Sequence, residues 1–64
     1  MTDNSLEPVA VSAAEAARLL SVSKPTVYQL MERVDFPRFK VGTRTLIPVE
    51  GLREWVRRQT EAVI

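Results

Sequence analysis

The fold is decided by residues 12–31, which read SAAEAARLLSVSKPTVYQLM. Ser12 and Glu15 have the spacing of a capping box, in which the serine hydroxyl accepts from the amide three residues on and the glutamate carboxylate reaches back to the cap. A helix is therefore predicted to begin after Ser12, and apolar residues at helical spacing give it one buried face. These residues are Ala16, Ala17 and Leu20.

A second helix is predicted after a short turn. Residues 21–23 (Ser-Val-Ser) interrupt the first pattern, and Ser23 can cap the helix that follows. Pro25 falls in the first turn of that helix, where its missing amide donor costs little. The next apolar stripe consists of Val27, Leu30 and Met31. Two helices joined by a turn of this length predict a helix-turn-helix.

A β-hairpin is predicted after the second helix. The residue before a proline is pushed toward extended geometry, so residues 35–37 (Asp-Phe-Pro) should stop the helix. Residues 39–41 and 45–47 are β-prone, and residues 42–44 (Gly-Thr-Arg) join them as a turn. We call the hairpin over residues 39–47 the wing. Its apolar side chains are expected to face the helices: Phe39, Val41, Leu46 and Ile47.

The rest of the chain flanks this unit. A third helix should open at Pro48 and run to about residue 60, with Leu52, Trp55 and Val56 as its apolar face. Gly51 in its first turn costs up to ~1 kcal/mol relative to alanine, which packing must offset. Val9 and Val11 could form a short extended segment against the wing.

The expected fold class is mainly α with a small β-hairpin, a winged helix-turn-helix. We expect residues 1–8 to be a flexible lead-in, residues 9–60 to be the folded domain, and residues 61–64 to be a C-terminal tail.

The composition disfavours several classes of protein. With 64 residues, no cysteine and no histidine, the chain has little room for a substrate pocket and lacks the commonest catalytic groups. Glu50 and Glu54 could present paired carboxylates, but the arginines between them favour surface ion pairs instead. No enzyme activity, cofactor or metal is expected. No apolar run is long enough for a membrane span, and a cytoplasmic location is the default.

The charge is distributed unevenly along the chain. The net charge is +1, yet residues 18–44 hold six basic and two acidic residues, a local charge of +4. Such a patch is typical of phosphate contact, although an ordinary solvated surface would look the same. In the context of a helix-turn-helix, the patch favours double-stranded DNA as the partner.

The candidate DNA contacts lie on the second helix and the wing. The second helix would enter the major groove with Lys24, Thr26, Tyr28, Gln29 and Arg33, and Ser23 could cap it or meet a phosphate. The wing would present Lys40, Thr43 and Arg44 from its tip and outer face, with Arg44 favoured for the minor groove. Alternatively, Tyr28 is half-buried against the hairpin, Gln29 is simply solvated, and the wing cations protect a strand edge.

The pattern SAAEAARLLSVSKPTVY, followed by FKVGTR and Ile47-Pro48, resembles the excisionase family of small winged-helix proteins, whose fold is related to the DNA-binding domain of MerR regulators. The resemblance covers roughly residues 9–58. It implies a recombination directionality factor of a phage or mobile element that binds repeated sites beside neighbouring copies, bends DNA and helps an integrase to excise. Ser21 stands where the family often has glycine, and Gln29 where many relatives have a basic residue.

Two other functions remain open on the sequence. A transcriptional regulator of the same fold would use the same DNA contacts, although a MerR-type regulator would carry a dimerising extension after residue 60. A protein-interaction module would instead dock its basic face on an acidic partner.

Overall fold

The computed structural model describes residues 8–62. Apart from Pro8, the predicted lead-in lies outside the described residues, as do the last two residues of the predicted tail. The described part is a winged helix-turn-helix, which confirms the predicted fold class. Its elements, in chain order, are β1 (Ala10–Val11), α1 (Ala13–Leu20), α2 (Lys24–Leu30), β2 (Phe39–Val41), β3 (Arg44–Pro48) and α3 (Val49–Ala62).

Serine side chains start both helices of the helix-turn-helix, as predicted. The Ser12 hydroxyl accepts from the Glu15 amide at 3.2 Å, and the Ser23 hydroxyl accepts from the Thr26 amide at 3.4 Å. The second half of the capping box is wrong, because the Glu15 carboxylate accepts from the Arg18 guanidinium instead of reaching back to Ser12. A charged donor one turn away is a stronger partner than the cap amide.

The turn between α1 and α2 is built on a left-handed residue. Ser21 caps α1 with φ 61° and ψ 41°, and its amide donates to the carbonyls of the last turn. The Val22 amide then donates to the Ala17 carbonyl at 3.0 Å. Positive φ crowds any side chain with a Cβ atom, so this position favours glycine, as the family resemblance implies.

The first β-strand is the short extended segment predicted around Val9 and Val11. The sheet has the order β1-β3-β2 and is antiparallel throughout. Val11 pairs with Ile47, and the Val49 amide donates to the Val9 carbonyl at 2.9 Å. Because β1 immediately precedes α1, this pairing ties the helix-turn-helix to the wing.

The wing differs from the prediction in its turn and in its faces. The turn contains only Gly42, at φ 64°, and Thr43, whereas Arg44 begins β3 and pairs with Val41. Phe39 and Val41 were expected to face the helices, yet they are 42% and 55% exposed.

The direction of the wing's faces follows from strand alternation. Lys40 pairs with Thr45, which puts Lys40 on the sheet face that carries the buried Ile47. Arg44 therefore shares the outer face with Phe39 and Val41. The expectation that Lys40 and Arg44 project together from the outer face is wrong, because they alternate across the sheet.

The core lies between the helices and the inner face of the sheet. Phe36 is a core residue that the sequence reasoning treated only as a helix stop, and its ring meets that of Trp55 edge-on at 5.0 Å. Val56 was expected in the core but is 39% exposed, and α3 runs to Ala62, past its predicted end. The buried residues are Val11, Ala13, Ala16, Ala17, Val27, Phe36, Ile47, Leu52 and Trp55.

Gly51 permits α3 to pack closely against two prolines. A Cβ atom at this position would lie 2.9 Å from Pro37 Cβ and 3.1 Å from Pro48 Cγ. The helix therefore tolerates a poor helix former because only glycine leaves room for the loop before the wing.

Candidate nucleic-acid interface

Helix α2 presents a polar face opposite its buried one. Val27 is fully buried, whereas Lys24, Tyr28 and Gln29 are exposed, with 52% of Tyr28 accessible. Successive helical residues point about 100° apart, so burying Val27 turns Tyr28 and Gln29 toward solvent, whereas Lys24 is exposed as the first residue of the helix. An exposure of 52% for Tyr28 is compatible both with the predicted DNA contact and with the alternative of half-burial against the hairpin.

The hydroxyls at the start of α2 are already engaged with one another. Ser23 Oγ and Thr26 Oγ1 are 2.8 Å apart, and Ser23 also accepts from the Thr26 amide. Each hydroxyl keeps spare hydrogen-bonding capacity, but their mutual bond fixes the entry into the helix. Ser23 and Thr26 thus fix the start of the helix that carries Lys24 and Tyr28.

The wing lies beside α2 and forms a groove with it. Lys24 and Tyr28 of α2 line this groove together with Arg44 and Thr45 of β3. We call it the recognition groove. Its remaining lining comes from the start of α1 and from Met31. Two candidate sets that are separated in sequence, the second helix and the wing, are therefore neighbours in space.

Three cations of this region take no part in the ion pairs formed within residues 8–62. Among residues 8–62, Lys24, Lys40 and Arg44 have no carboxylate within salt-bridge distance. Their charge is therefore available to an external anion. Thr43 is also exposed at the tip of the wing, between Gly42 and Arg44.

Arg33 is not on the recognition helix. Helix α2 ends at Leu30, and Arg33 lies in the following loop, so its predicted place on the second helix is wrong. Its guanidinium donates to both carboxylate oxygens of Asp35, at 2.9 and 3.1 Å, and lies 6.0 Å from the centre of the Trp55 ring. The helix ends early because the loop carries Phe36 back into the core.

Asp35 joins Arg33 to the third helix. Its carboxylate also accepts from Trp55 Nε1 at 3.2 Å. The hydrogen bonds from Arg33, and then that from Trp55, hold the pKa of the Asp35 carboxyl below its ordinary value. This cluster of Arg33, Asp35 and Trp55 anchors the loop that leads into the wing. No periodicity in the sequence predicts it.

Three further carboxylates on α1 and α3 also hold arginines, those of Glu15, Glu54 and Glu61. Arg57 donates to Glu54 at 2.5 Å and to Glu61 at 2.7 Å, and Arg58 lies 3.7 Å from Glu54. These partners lower the pKa of Glu54, as Arg18 lowers that of Glu15. The ion-pair interpretation of the α3 carboxylates therefore agrees with the structure for Glu54.

Two searches of the described residues bear on other classes of site. Within residues 8–62, no group of acidic, histidine or cysteine side chains is arranged to hold a metal ion. None of the helices in that range has the length and apolar character required to span a bilayer.

Together, the exposed face of α2 and the adjacent basic wing define a winged helix-turn-helix DNA-binding protein. A family model described as a helix-turn-helix domain matches residues 10–60. The chain belongs to this helix-turn-helix family, and DNA is the partner that such a domain supports. Comparison with curated proteins and with solved structures gives no significant match.

Proposed function

We propose that the protein is an excisionase of the MerR-like type, a recombination directionality factor that acts on the DNA of a phage or mobile element. It binds repeated duplex sites cooperatively, bends the DNA and thereby promotes excision by a partner integrase. The helix-turn-helix family includes excisionase-like proteins, which supports this choice. The protein does not catalyse strand exchange itself and needs no cofactor.

The recognition groove is the observation that supports this proposal most directly. It brings a helix face bearing Lys24 and Tyr28 next to a wing strand bearing Arg44, all on one side of the domain. A helix fits the major groove of B-DNA, and a basic strand tip beside it fits the adjacent minor groove. One duplex can therefore meet both elements at once.

Each candidate residue has a distinct part in this interface. Gln29 reads a base edge and favours adenine, whereas Lys24 and Tyr28 contact guanine, a base edge or phosphate. Arg44 enters the minor groove, with Thr43 beside it at the tip. Ser23 and Thr26 fix the first turn of the helix and contact the sugar-phosphate backbone of the DNA.

The small size of the domain explains why several copies act together. A single module of this kind buries limited area on DNA, so one copy binds weakly, and adjacent copies supply affinity and specificity. Direct repeats filled by neighbouring copies would also accumulate the bends that an integrase complex requires.

The proposal is tested by selecting binding sites from randomised duplexes with the full chain. Winning sequences are then titrated in gel shifts at two salt concentrations, with the number of bound copies counted. Tandem direct repeats filled cooperatively support the excisionase, and a reconstituted excision assay with the integrase then follows. Single or inverted sites would instead support a transcriptional regulator. Failure to enrich any sequence would overturn both.

Two substitutions separate the roles of helix and wing. Arg44→Ala should weaken binding to every sequence and lower the salt slope by about 0.9, because one fewer cation then neutralises the charge of the phosphates beside the minor groove. Gln29→Ala should relax the preference at one base pair, with about 1–3 kcal/mol of discrimination lost there. Arg53→Ala, an exposed site on α3 outside the recognition groove, is the matched control. Equal losses on all sequences for Gln29→Ala would remove it as a reader.

A further inference from the structure

A second groove lies next to the recognition groove, between the wing, the loop before it and α3. Three basic residues from three different segments line it: Arg38 of the loop before the wing, Lys40 of β2 and Arg58 of α3. We call it the basic groove. None of these segments is part of the helix-turn-helix, and neither Arg38 nor Arg58 was among the candidate DNA contacts.

The three basic side chains of the basic groove keep their charge available, and one of them, Arg38, is also held in place. Arg38 donates from Nη1 to the backbone carbonyls of Arg33 and Phe36, at 3.0 and 2.8 Å, and these acceptors carry no net charge. Lys40 has no carboxylate partner within residues 8–62, and Arg58 is only loosely paired with Glu54 at 3.7 Å. Three cations therefore converge on one concave surface.

The acidic residue of the basic groove is already neutralised. Asp35 lines the groove, but both of its oxygens accept from Arg33 and one also accepts from Trp55. These donors also lower the pKa of the Asp35 carboxyl. The carboxylate therefore does not cancel the charge of Arg38, Lys40 and Arg58, and the groove as a whole favours an anion.

The basic groove is continuous with the recognition groove. Met31 at the end of α2 and Thr45 of β3 line both of them. Lys40 is the cross-strand partner of Thr45, so it lies beside the wing residue that both grooves share. A polyanion that lies along α2 can thus continue past Met31 toward the third helix.

We propose that the basic groove binds the sugar-phosphate backbone of the same duplex, beyond the segment read by α2. This inference rests on the proposed function and extends it. Lys40 and Arg58 are then sequence-independent phosphate contacts, and Arg38 shapes the groove between them. The footprint of one copy consequently extends from the recognition helix along the wing to α3.

The experiment uses the full chain and the duplex obtained by site selection. Salt slopes of binding are measured by fluorescence anisotropy for the wild type, Lys40→Ala, Arg58→Ala, Arg44→Ala and the control Arg53→Ala. Arg58 and Arg53 lie on the same helix and are both exposed, but only Arg58 lines the basic groove. We expect the slope to fall by about 0.9 for each of Lys40→Ala and Arg58→Ala, and to be unchanged for Arg53→Ala.

A second measurement locates the contact on the DNA. Single phosphates of the duplex are replaced by neutral methylphosphonates, one position at a time. A position outside the segment read by α2 should weaken wild-type binding, and Arg58→Ala should abolish the sensitivity at that position. Circular dichroism of each variant checks that the fold is retained.

The outcomes separate this inference from the proposed function. If the wild type binds no duplex, the proposed function fails. If Arg44→Ala lowers the salt slope while Arg58→Ala and Lys40→Ala behave like Arg53→Ala, only the basic groove is overturned as a DNA contact. Unchanged DNA binding together with weaker binding of an acidic peptide by Arg58→Ala would assign the groove to a protein partner and likewise overturn the proposal.

Discussion

Replacing Gly51 with alanine tests whether α3 must approach the loop before the wing as closely as the structure indicates. On helix propensity alone, Gly51→Ala should stabilise the protein by up to ~1 kcal/mol. The new Cβ atom, however, would lie 2.9 Å from Pro37 Cβ and 3.1 Å from Pro48 Cγ. Contacts this short require the backbone to move, because a proline ring cannot rotate away from the intruding methyl group.

The net effect follows from these two opposing contributions. Overpacking by one methyl group costs about 1–3 kcal/mol, and rigid neighbours on both sides place this site at the upper end of that range. After the gain in propensity, we expect Gly51→Ala to lower the free energy of unfolding by about 1–2 kcal/mol. For a domain of this size, each kcal/mol lowers Tm by roughly 4–8 °C.

The assay is urea unfolding followed by the fluorescence of Trp55, the only tryptophan of the chain. Glu50→Ala, at the exposed neighbouring position, is the control for a change of helix propensity without a new contact. Because Pro37 precedes β2, the clash should also shift the wing and weaken DNA binding. An equal or higher free energy of unfolding for Gly51→Ala would refute the close approach.

Two further predictions concern the interhelical turn and the loop cluster. Ser21→Gly should raise the free energy of unfolding by about 0.5–1 kcal/mol, because relief of the left-handed conformation outweighs the entropy that glycine loses on folding; thermal unfolding that shows no gain would contradict it. Hydrogen bonds from Arg33 and Trp55 hold the pKa of Asp35 below its ordinary value. The ionised carboxylate therefore stabilises the fold fully at pH values above the ordinary pKa, and this stabilisation is lost as the pH falls through the lowered pKa. Urea unfolding at pH 7 and pH 3 should therefore show a smaller loss of stability for Asp35→Asn than for the wild type, and identical losses would refute the role of this ion pair.

The helix-turn-helix could be predicted because its signals are local. Ser12 and Ser23 cap their helices through bonds to amides only three residues away, and both bonds form as the spacing indicates. The choice of Val27 for the buried face is equally local, since one turn of helix determines which residues lie beside it. The exposed face of α2 follows from the same geometry.

The faces of the wing could not be predicted because both faces carry apolar residues. Leu46 and Ile47 are adjacent in β3 and point to opposite sides, so hydrophobicity alone does not decide which one is buried. The pairing of Val11 with Ile47 decides it, and this contact joins residues far apart in sequence. The same pairing leaves Phe39 exposed and turns Lys40 inward.

Contacts between distant segments also determine where the Arg33 side chain lies and why residue 51 is glycine. Arg33 has the helical spacing of a DNA contact, but Asp35 and Trp55 hold it against the third helix. Gly51 looks unfavourable in a helix until the positions of Pro37 and Pro48 are known. In both cases, the sequence did not show which loop residues pack against α3.

Intramolecular ion pairing, rather than net charge, determines which basic residues of this domain remain available to an external anion. Glu15 engages Arg18 on α1, Asp35 engages Arg33, and Glu54 engages Arg57 on α3. Such exposed pairs contribute little to stability, but each withdraws an arginine from phosphate binding. The cations left unpaired within residues 8–62 include those of α2 and the wing, so a chain with a net charge of only +1 still presents a basic surface to DNA. Affinity should therefore depend on where the available cations lie and not on the total charge. Arg53→Ala and Arg58→Ala change the charge equally, yet they are expected to differ in their effect on binding because only Arg58 lines the basic groove.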